Sequence, residues 1–141
     1  MTTPILNLME SNRLAHFYLL TPSYEVPLDQ QLNCLKNIIT PLLKIEFANK
    51  NILLDSHLTE KIWNNQFPDI HYFDETLSKK FNYNSIQLSI QKSHYAPLHI
   101  SKRYYLFKKC GQLFKKQIYN KLLKFFEEPP KNTVIIVFNP E

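Results

Sequence analysis

Short apolar runs alternate with longer segments of helical spacing along this chain of 141 residues. The runs at residues 17–20, 70–73, 103–107 and 133–138 predict four strands, of which the first and the last read as buried. Apolar positions three or four residues apart predict helices over residues 28–46, 56–63, 86–93 and 112–128. Because strands alternate with helices, we expect an α/β fold, a three-layer sandwich with a mainly parallel sheet between helices.

Prolines and small polar residues set the expected limits of these helices. Pro41 lies inside the first helix and is expected to kink or divide it. Ser56 and Ser85 are candidate N-caps of the second and third helices. Pro129 and Pro130 follow the fourth helix, and they are expected to end it.

Composition excludes several classes of protein. The chain is 44% hydrophobic but contains a single glycine, Gly111, so it lacks a glycine-rich phosphate-binding loop. Two cysteines are too few for a disulfide scaffold, and the longest apolar runs are five residues, far too short to span a membrane. We therefore expect a cytoplasmic protein with no membrane partner.

Charge is distributed unevenly along the chain. No acidic residue lies between Glu75 and Glu127, whereas eleven lysines and arginines do. Such a stretch suggests a surface that faces a polyanion, although a solvated lysine-rich surface explains the same counts. The candidate nucleic-acid contacts are Lys102, Arg103, Lys108, Lys109, Lys115, Lys116 and Lys124.

The segment over residues 120–130 carries a resemblance. It reads Asn-Lys-Leu-Leu-Lys-Phe-Phe-Glu-Glu-Pro-Pro and is followed by a polar spacer and the last strand. This resembles the NALLKxLEEPP signature of the bacterial clamp-loader subunits, which are the gamma/tau and delta prime subunits of DNA polymerase III. Residues 13–20 resemble the first strand of that family, and Pro68-Asp69 resembles its HPD segment. The matching signature positions are Asn120, Leu122, Leu123, Lys124, Glu127, Glu128, Pro129 and Pro130.

Two departures from the family pattern lie at its nucleotide site. Where the family's ATPases have a glycine-rich loop ending in Lys-Thr, this chain has Leu28 and Asp29. Where the family has magnesium-binding acids after the third strand, this chain has Lys108 and Lys109. The resemblance therefore implies a degenerate AAA+ core with no catalytic residue, no bound cofactor and no metal. It favours the delta prime type, in which the nucleotide site commonly does not work.

The resemblance also implies a function and partners. A delta prime-like subunit supports loading of the sliding clamp in DNA replication, contacts gamma/tau-type subunits and lies near DNA. The alternative is an independent basic module that binds nucleic acid on the same fold. Because family members continue into a lid and a collar domain, we expect residues 1–141 to be one core domain, as a fragment or as a shortened relative.

The family's strand order, 5-1-4-3-2, implies one more property. The fifth strand follows the last strand of this chain in family members, so the first strand is expected at an open sheet edge. An edge of unpaired backbone groups favours pairing with another molecule. We therefore expect self-association through residues 17–20, unless residues 2–6 cover them.

Overall fold

Four parallel strands form one sheet in the computed structural model, which describes residues 17–22, 25–74, 83–108 and 116–139. The strands are β1 (Phe17–Leu20), β2 (Ile70–Asp74), β3 (Arg103–Lys108) and β4 (Thr133–Phe138). Their order across the sheet is β1-β4-β3-β2, and every neighbouring pair is parallel. This order matches the one that the resemblance implied for strands one to four.

Helices cover both faces of the sheet. They are α1 (Leu28–Ala48), α2 (Ser56–Trp63), α3 (Tyr83–Lys92) and α4 (Lys116–Glu127). Buried side chains of α1 and α2 pack on one face with Tyr72, Tyr104 and Ile136, and those of α3 and α4 pack on the other with Phe73 and Tyr105. Successive strand residues point to opposite faces, so each strand contributes to both cores. The three-layer α/β architecture predicted from the sequence is confirmed.

Burial differs between the central and the edge strands. Every residue of β3 and β4 is buried, as expected for parallel strands covered on both faces. The prediction that β1 is buried is wrong, because Phe17 is 36% and Leu19 56% exposed. Among the described residues β1 pairs only with β4, so it lies at one edge of the sheet.

The opposite edge, formed by β2, is closed by a side chain. The amide of Asn65 donates from Nδ2 to the Tyr72 carbonyl at 2.7 Å and accepts the Tyr72 N–H at 2.6 Å. Asn65 has a φ of 60°, a left-handed conformation that asparagine tolerates better than most residues. One side chain thus occupies the place of a neighbouring strand at this position.

Helix limits differ from the expected ones at three points. Pro41 does not divide α1, because Pro41 is exposed and the carbonyl that loses its hydrogen-bond partner belongs to the exposed Asn37. The N-cap of α2 is Asp55 rather than Ser56, since the Asp55 side chain accepts the Leu58 N–H at 2.8 Å. Helix α3 already begins at Tyr83, which removes Ser85 from the cap position.

The last helix ends where the sequence predicts. Helix α4 ends at Glu127, within one residue of the predicted end and two residues before Pro129, whereas the expected start at residue 112 lies outside the described residues. In the part of the chain that is described, no helix combines the length and the apolar character needed to cross a membrane.

Candidate functional site

The carboxyl edge of the sheet is where the family resemblance places a nucleotide. Here β2 ends in Asp74 and β3 in Lys108, which are register partners. Both side chains are buried, and Lys108 Nζ lies 3.5 Å from Asp74 Oδ1. Tyr72 donates its hydroxyl to Asp74 Oδ2 at 2.7 Å. Burial, and then this hydrogen bond, raises the pKa of Tyr72 far above its ordinary value, so the phenol keeps its proton.

The start of α1 forms the second part of this edge. Pro27 precedes the helix and supplies neither a backbone N–H nor a side-chain cap. Val26 is buried, and Gln31 Nε2 donates to its carbonyl oxygen at 3.1 Å. The first turn carries the carboxylate of Asp29, and Leu28 is exposed. Apolar burial therefore anchors the segment that enters this helix.

The signature segment forms the end of α4 and the turn into β4. Leu122 is buried in the core under α4, Leu123 is half-buried, and Lys124, Glu127 and Glu128 are exposed. The side chain of Asn120 lies outside the described part of the chain. Asn132 then adopts a φ of 62° and accepts the Arg103 N–H on its carbonyl at 2.7 Å. The segment thus links the last helix to the start of the two central strands.

The basic residues predicted to contact nucleic acid do not share one environment. Lys124 is exposed and Lys102 is half-buried, so both remain available on the surface. Arg103 and Lys108 are buried and lie against Asp69 and Asp74, so we withdraw both from the predicted contacts. Lys109, Lys115 and the side chain of Lys116 lie outside the described residues.

At the amino edge of the sheet, Asp69 binds the loop that precedes β3 through hydrogen bonds. Its carboxylate is fully buried and accepts the N–H groups of Leu98, His99 and Ile100 at 2.8, 2.5 and 2.9 Å. The Asp69 carbonyl also accepts the Tyr104 N–H at 2.8 Å. One carboxylate therefore holds three consecutive amides that lie 29 to 31 residues later in the chain.

Arg103 completes this arrangement. Its guanidinium Nη2 lies 3.9 Å from Asp69 Oδ1 and donates to the Ala96 carbonyl at 3.3 Å. The side chain is only 5% exposed, and its Nε–H has no hydrogen-bond partner among the described residues. A buried donor without a partner is uncommon in native proteins, and it marks this place as unusual.

A cleft of about 840 Å³ opens beside Arg103. Its walls come from the end of α2, the start of β2, the end of α3 and the loop before β3. Polar side chains, among them three amides, line it together with aromatic and apolar ones. The lining includes Phe67, His71, Phe73, Lys92, Tyr95 and Arg103.

Among the titratable side chains that line the cleft, His71 has the most strongly shifted pKa. Its ring stacks on Tyr105 with centroids 4.9 Å apart, and one imidazole N–H donates to the Pro68 carbonyl. Burial, and then the positive charge of Arg103, lowers the pKa of His71 to about 4. Since Nε2 is buried and has no partner in the described part of the chain, the donor is Nδ1. Nε2 therefore presents an unshared lone pair at neutral pH.

Tyr105 fixes the wall behind His71. Its hydroxyl donates to the Ser89 carbonyl of α3 at 2.5 Å. Burial raises the pKa of Tyr105 to about 12, with Arg103 acting in the opposite direction, so this donor stays protonated at neutral pH. The stacked pair of rings is thus tied to the neighbouring helix.

In the sequence, Pro68-Asp69 belongs to the family pattern, but no motif indicates a role for Asp69, His71 or Asn65. The contacts of Asp69 join segments about thirty residues apart, which spacing along the chain does not reveal. Asparagine between a helix and a strand was the only local signal for Asn65. No group of three or more metal-ligating side chains occurs within the described residues.

Comparison with known proteins identifies a family for this chain. A family model described as DNA polymerase III, delta subunit, matches residues 2–141. No curated protein sequence matches the chain. The match spans the signature segment, the sheet and both sheet edges described above.

Proposed function

The chain belongs to the DNA polymerase III delta subunit family, and from this premise we propose that it acts as a delta prime-type subunit of a clamp loader. In this role it supports opening and loading of the sliding clamp during DNA replication without turning over nucleotide itself. The observation that carries the proposal is the family match over residues 2–141, together with the parallel order β1-β4-β3-β2.

The chemistry of the carboxyl edge supports the choice of the delta prime type. A nucleotide with magnesium needs backbone N–H donors, a lysine for the phosphates and carboxylate or hydroxyl oxygens for the metal. In those places the chain has Pro27, the exposed Leu28 and the acidic Asp29. The end of β3 carries Lys108, whose charge is already neutralised by Asp74. These residues fit neither a triphosphate nor its metal ion.

This interpretation predicts that the chain does not bind ATP in a magnesium-dependent manner. Calorimetric titration with ATP, once with excess magnesium and once with EDTA, is expected to show no binding that appears only when magnesium is present. Saturable binding that requires magnesium would contradict the proposed loss of the nucleotide site.

Assembly is the direct test of the proposed function. We expect the full chain, co-expressed with gamma/tau-type subunits of the same cell, to elute with them in size-exclusion chromatography at moderate salt. The net charge of +5 makes loose ionic association a concern, so the complex should also persist at high salt, where surface attraction is screened. An unrelated protein of similar size and charge is the control. Elution of the chain alone under both conditions would contradict the proposal.

The basic stretch bears on how the subunit meets DNA. We propose that Lys102, Lys124 and their neighbours Lys109, Lys115 and Lys116 lie near the nucleic-acid backbone and bind it without sequence preference. Replacing Lys115, Lys116 and Lys124 by glutamate is expected to abolish binding to duplex DNA in fluorescence anisotropy. In the unaltered chain, log affinity should fall with log salt by about 0.9 per phosphate contact. Unchanged affinity in the triple variant would assign these lysines to ordinary solvated surface.

The same assays separate the proposed function from the independent nucleic-acid-binding module. Strong salt-dependent binding by the isolated chain without assembly would favour the module. Assembly with weak binding by the isolated chain favours the clamp-loader subunit.

A further inference from the structure

The cleft at the amino edge of the sheet takes no part in the proposed function. It opens at the start of β2 and β3, whereas the nucleotide position of the family lies at the carboxyl ends of the strands. A ligand bound in this cleft would therefore occupy a separate site.

The cleft wall offers one hydrogen-bond donor and one acceptor that the described residues leave unused. The donor is the Nε–H of Arg103 and the acceptor is the Nε2 lone pair of His71. His71 is the register partner of Tyr105, which lies two residues after Arg103 on the same sheet face. Diagonal neighbours of this kind are about 7–8 Å apart at their backbones, within reach of one small ligand. Both residues line the cleft and both atoms are buried, so a ligand reaches them only when the lining side chains rotate.

The rest of the cleft favours a flat, partly aromatic ligand with a negative charge. Phe67 and Phe73 line the cleft but are buried in the two cores, and the exposed Tyr95 offers an accessible aromatic ring. The charge of Arg103 is opposed by Asp69, whereas the exposed Lys92 has no ion-pair partner among the described residues. A volume of about 840 Å³ is in the range of pockets for drug-sized ligands.

We propose that this cleft binds a nucleotide through its base, with the base edge on Arg103 and His71 and the phosphate beside Lys92. Every nucleobase carries a donor and an acceptor side by side on one edge, and its ring stacks on aromatic side chains. The nucleotide comes either as a free mononucleotide or as an unpaired nucleotide of a single strand. Binding needs no metal, because the phosphate meets a lysine rather than a magnesium ion.

Titration of the full chain in EDTA tests this site. AMP, adenosine, inorganic phosphate and a short single-stranded oligonucleotide are compared by calorimetry. AMP is expected to bind with saturation, adenosine several-fold more weakly, and phosphate alone not at all. Tighter binding of the oligonucleotide than of AMP identifies the single strand as the source, and the reverse identifies the free nucleotide. Absence of saturable binding by both at millimolar concentration would overturn the proposal.

Two variants assign the binding to this cleft. His71→Phe keeps a stacking ring but removes the acceptor, and it should weaken AMP and adenosine alike by about tenfold. Lys92→Gln should weaken AMP to the level of adenosine, while Lys61→Gln, which alters an exposed lysine of α2, should change neither. Binding that is unchanged in His71→Phe would place the nucleotide elsewhere and overturn the proposal.

A second measurement keeps the test independent of the stability of the variants. The ¹⁵N resonance of His71 Nε2 in the unaltered chain should shift when adenosine donates a hydrogen bond to this atom. A resonance that does not move at saturating adenosine contradicts the proposed contact. None of these measurements involves other clamp-loader subunits, so their failure leaves the assembly test untouched.

Discussion

Removal of the Asp69 carboxylate is expected to cost more stability than any other single loss of an acid in the described part of the chain. Asp69 accepts three backbone N–H groups and faces the buried Arg103. In Asp69→Ala the three donors lose their acceptor, and the guanidinium charge stays buried without its counter-ion. Removing one partner of a buried ion pair costs about 3–5 kcal/mol, and this range already includes the cost of the lost hydrogen bonds. We therefore expect a loss of about 4 kcal/mol.

Urea unfolding measures this loss, with the single tryptophan as the reporter. Trp63 is buried edge-on against Tyr72, so its emission reports loss of the core under α1 and α2. With a denaturant slope of about 2 kcal/mol per molar, the midpoint should fall by about 2 M. Asp69→Asn keeps the oxygen that accepts two of the backbone N–H groups. Its amide NH₂ group faces the third N–H, which then has no acceptor. Because asparagine also leaves the Arg103 charge without a counter-ion, its expected cost is about 3 kcal/mol, at the low end of the range for a broken buried ion pair.

Asp55 provides the matched control. Its exposed side chain accepts one N–H, that of Leu58, so Asp55→Ala should cost about 1 kcal/mol as an ordinary loss of a helix cap. A loss in Asp69→Ala no larger than that in Asp55→Ala would refute the reasoning, because it would mean that the loop before β3 contributes nothing through these contacts.

Two further predictions concern pH and association. Since the pKa of His71 is lowered to about 4 in the folded chain, the unfolded chain takes up this proton first as the pH falls. Stability is therefore retained above about pH 6.5 and falls by about 3 kcal/mol in total as the pH drops towards 4. Urea titrations of the unaltered chain and of His71→Phe at pH 7.0 and 4.5 isolate this contribution. An equal loss of unfolding free energy between the two pH values in both proteins would contradict it. Separately, the exposed edge strand β1 is expected to drive self-association, which Leu19→Lys should abolish because a charge on an edge strand opposes pairing. Size-exclusion chromatography with light scattering measures the mass, and a monomeric unaltered chain at high concentration would contradict the expectation.

The strands could be predicted because their signals are local. The apolar run of β4 and the aromatic run of β3 are continuous, which is typical of parallel strands buried on both faces. The run of β1 looks the same in sequence, yet half of its side chains are exposed. Its burial depends on whether a neighbouring strand covers it, and a short apolar run carries no information about that neighbour.

Charge counts located the basic stretch but could not separate surface from core. Arg103 and Lys108 begin and end a strand, where burial of a cation requires an acid on the neighbouring strand. Those acids, Asp69 and Asp74, lie 34 residues earlier in both cases, one directly before β2 and the other at its end. These pairs become visible only in the folded sheet, so the basic stretch alone wrongly indicates that both residues are exposed.

The two edges of the sheet differ in a way that bears on assembly. At β2 the Asn65 amide occupies both the N–H and the carbonyl of Tyr72, so another strand cannot pair there without displacing it. At β1 the exposed side chains of Phe17 and Leu19 alternate with half-buried ones, and among the described residues this strand pairs only with β4. Of the two edges in the described part of the sheet, the one formed by β2 is therefore closed to an added strand. The β1 edge is the side on which the clamp-loader order 5-1-4-3-2 places a fifth strand. We infer that any strand pairing of this chain, with its own copies or with a partner, takes place along β1.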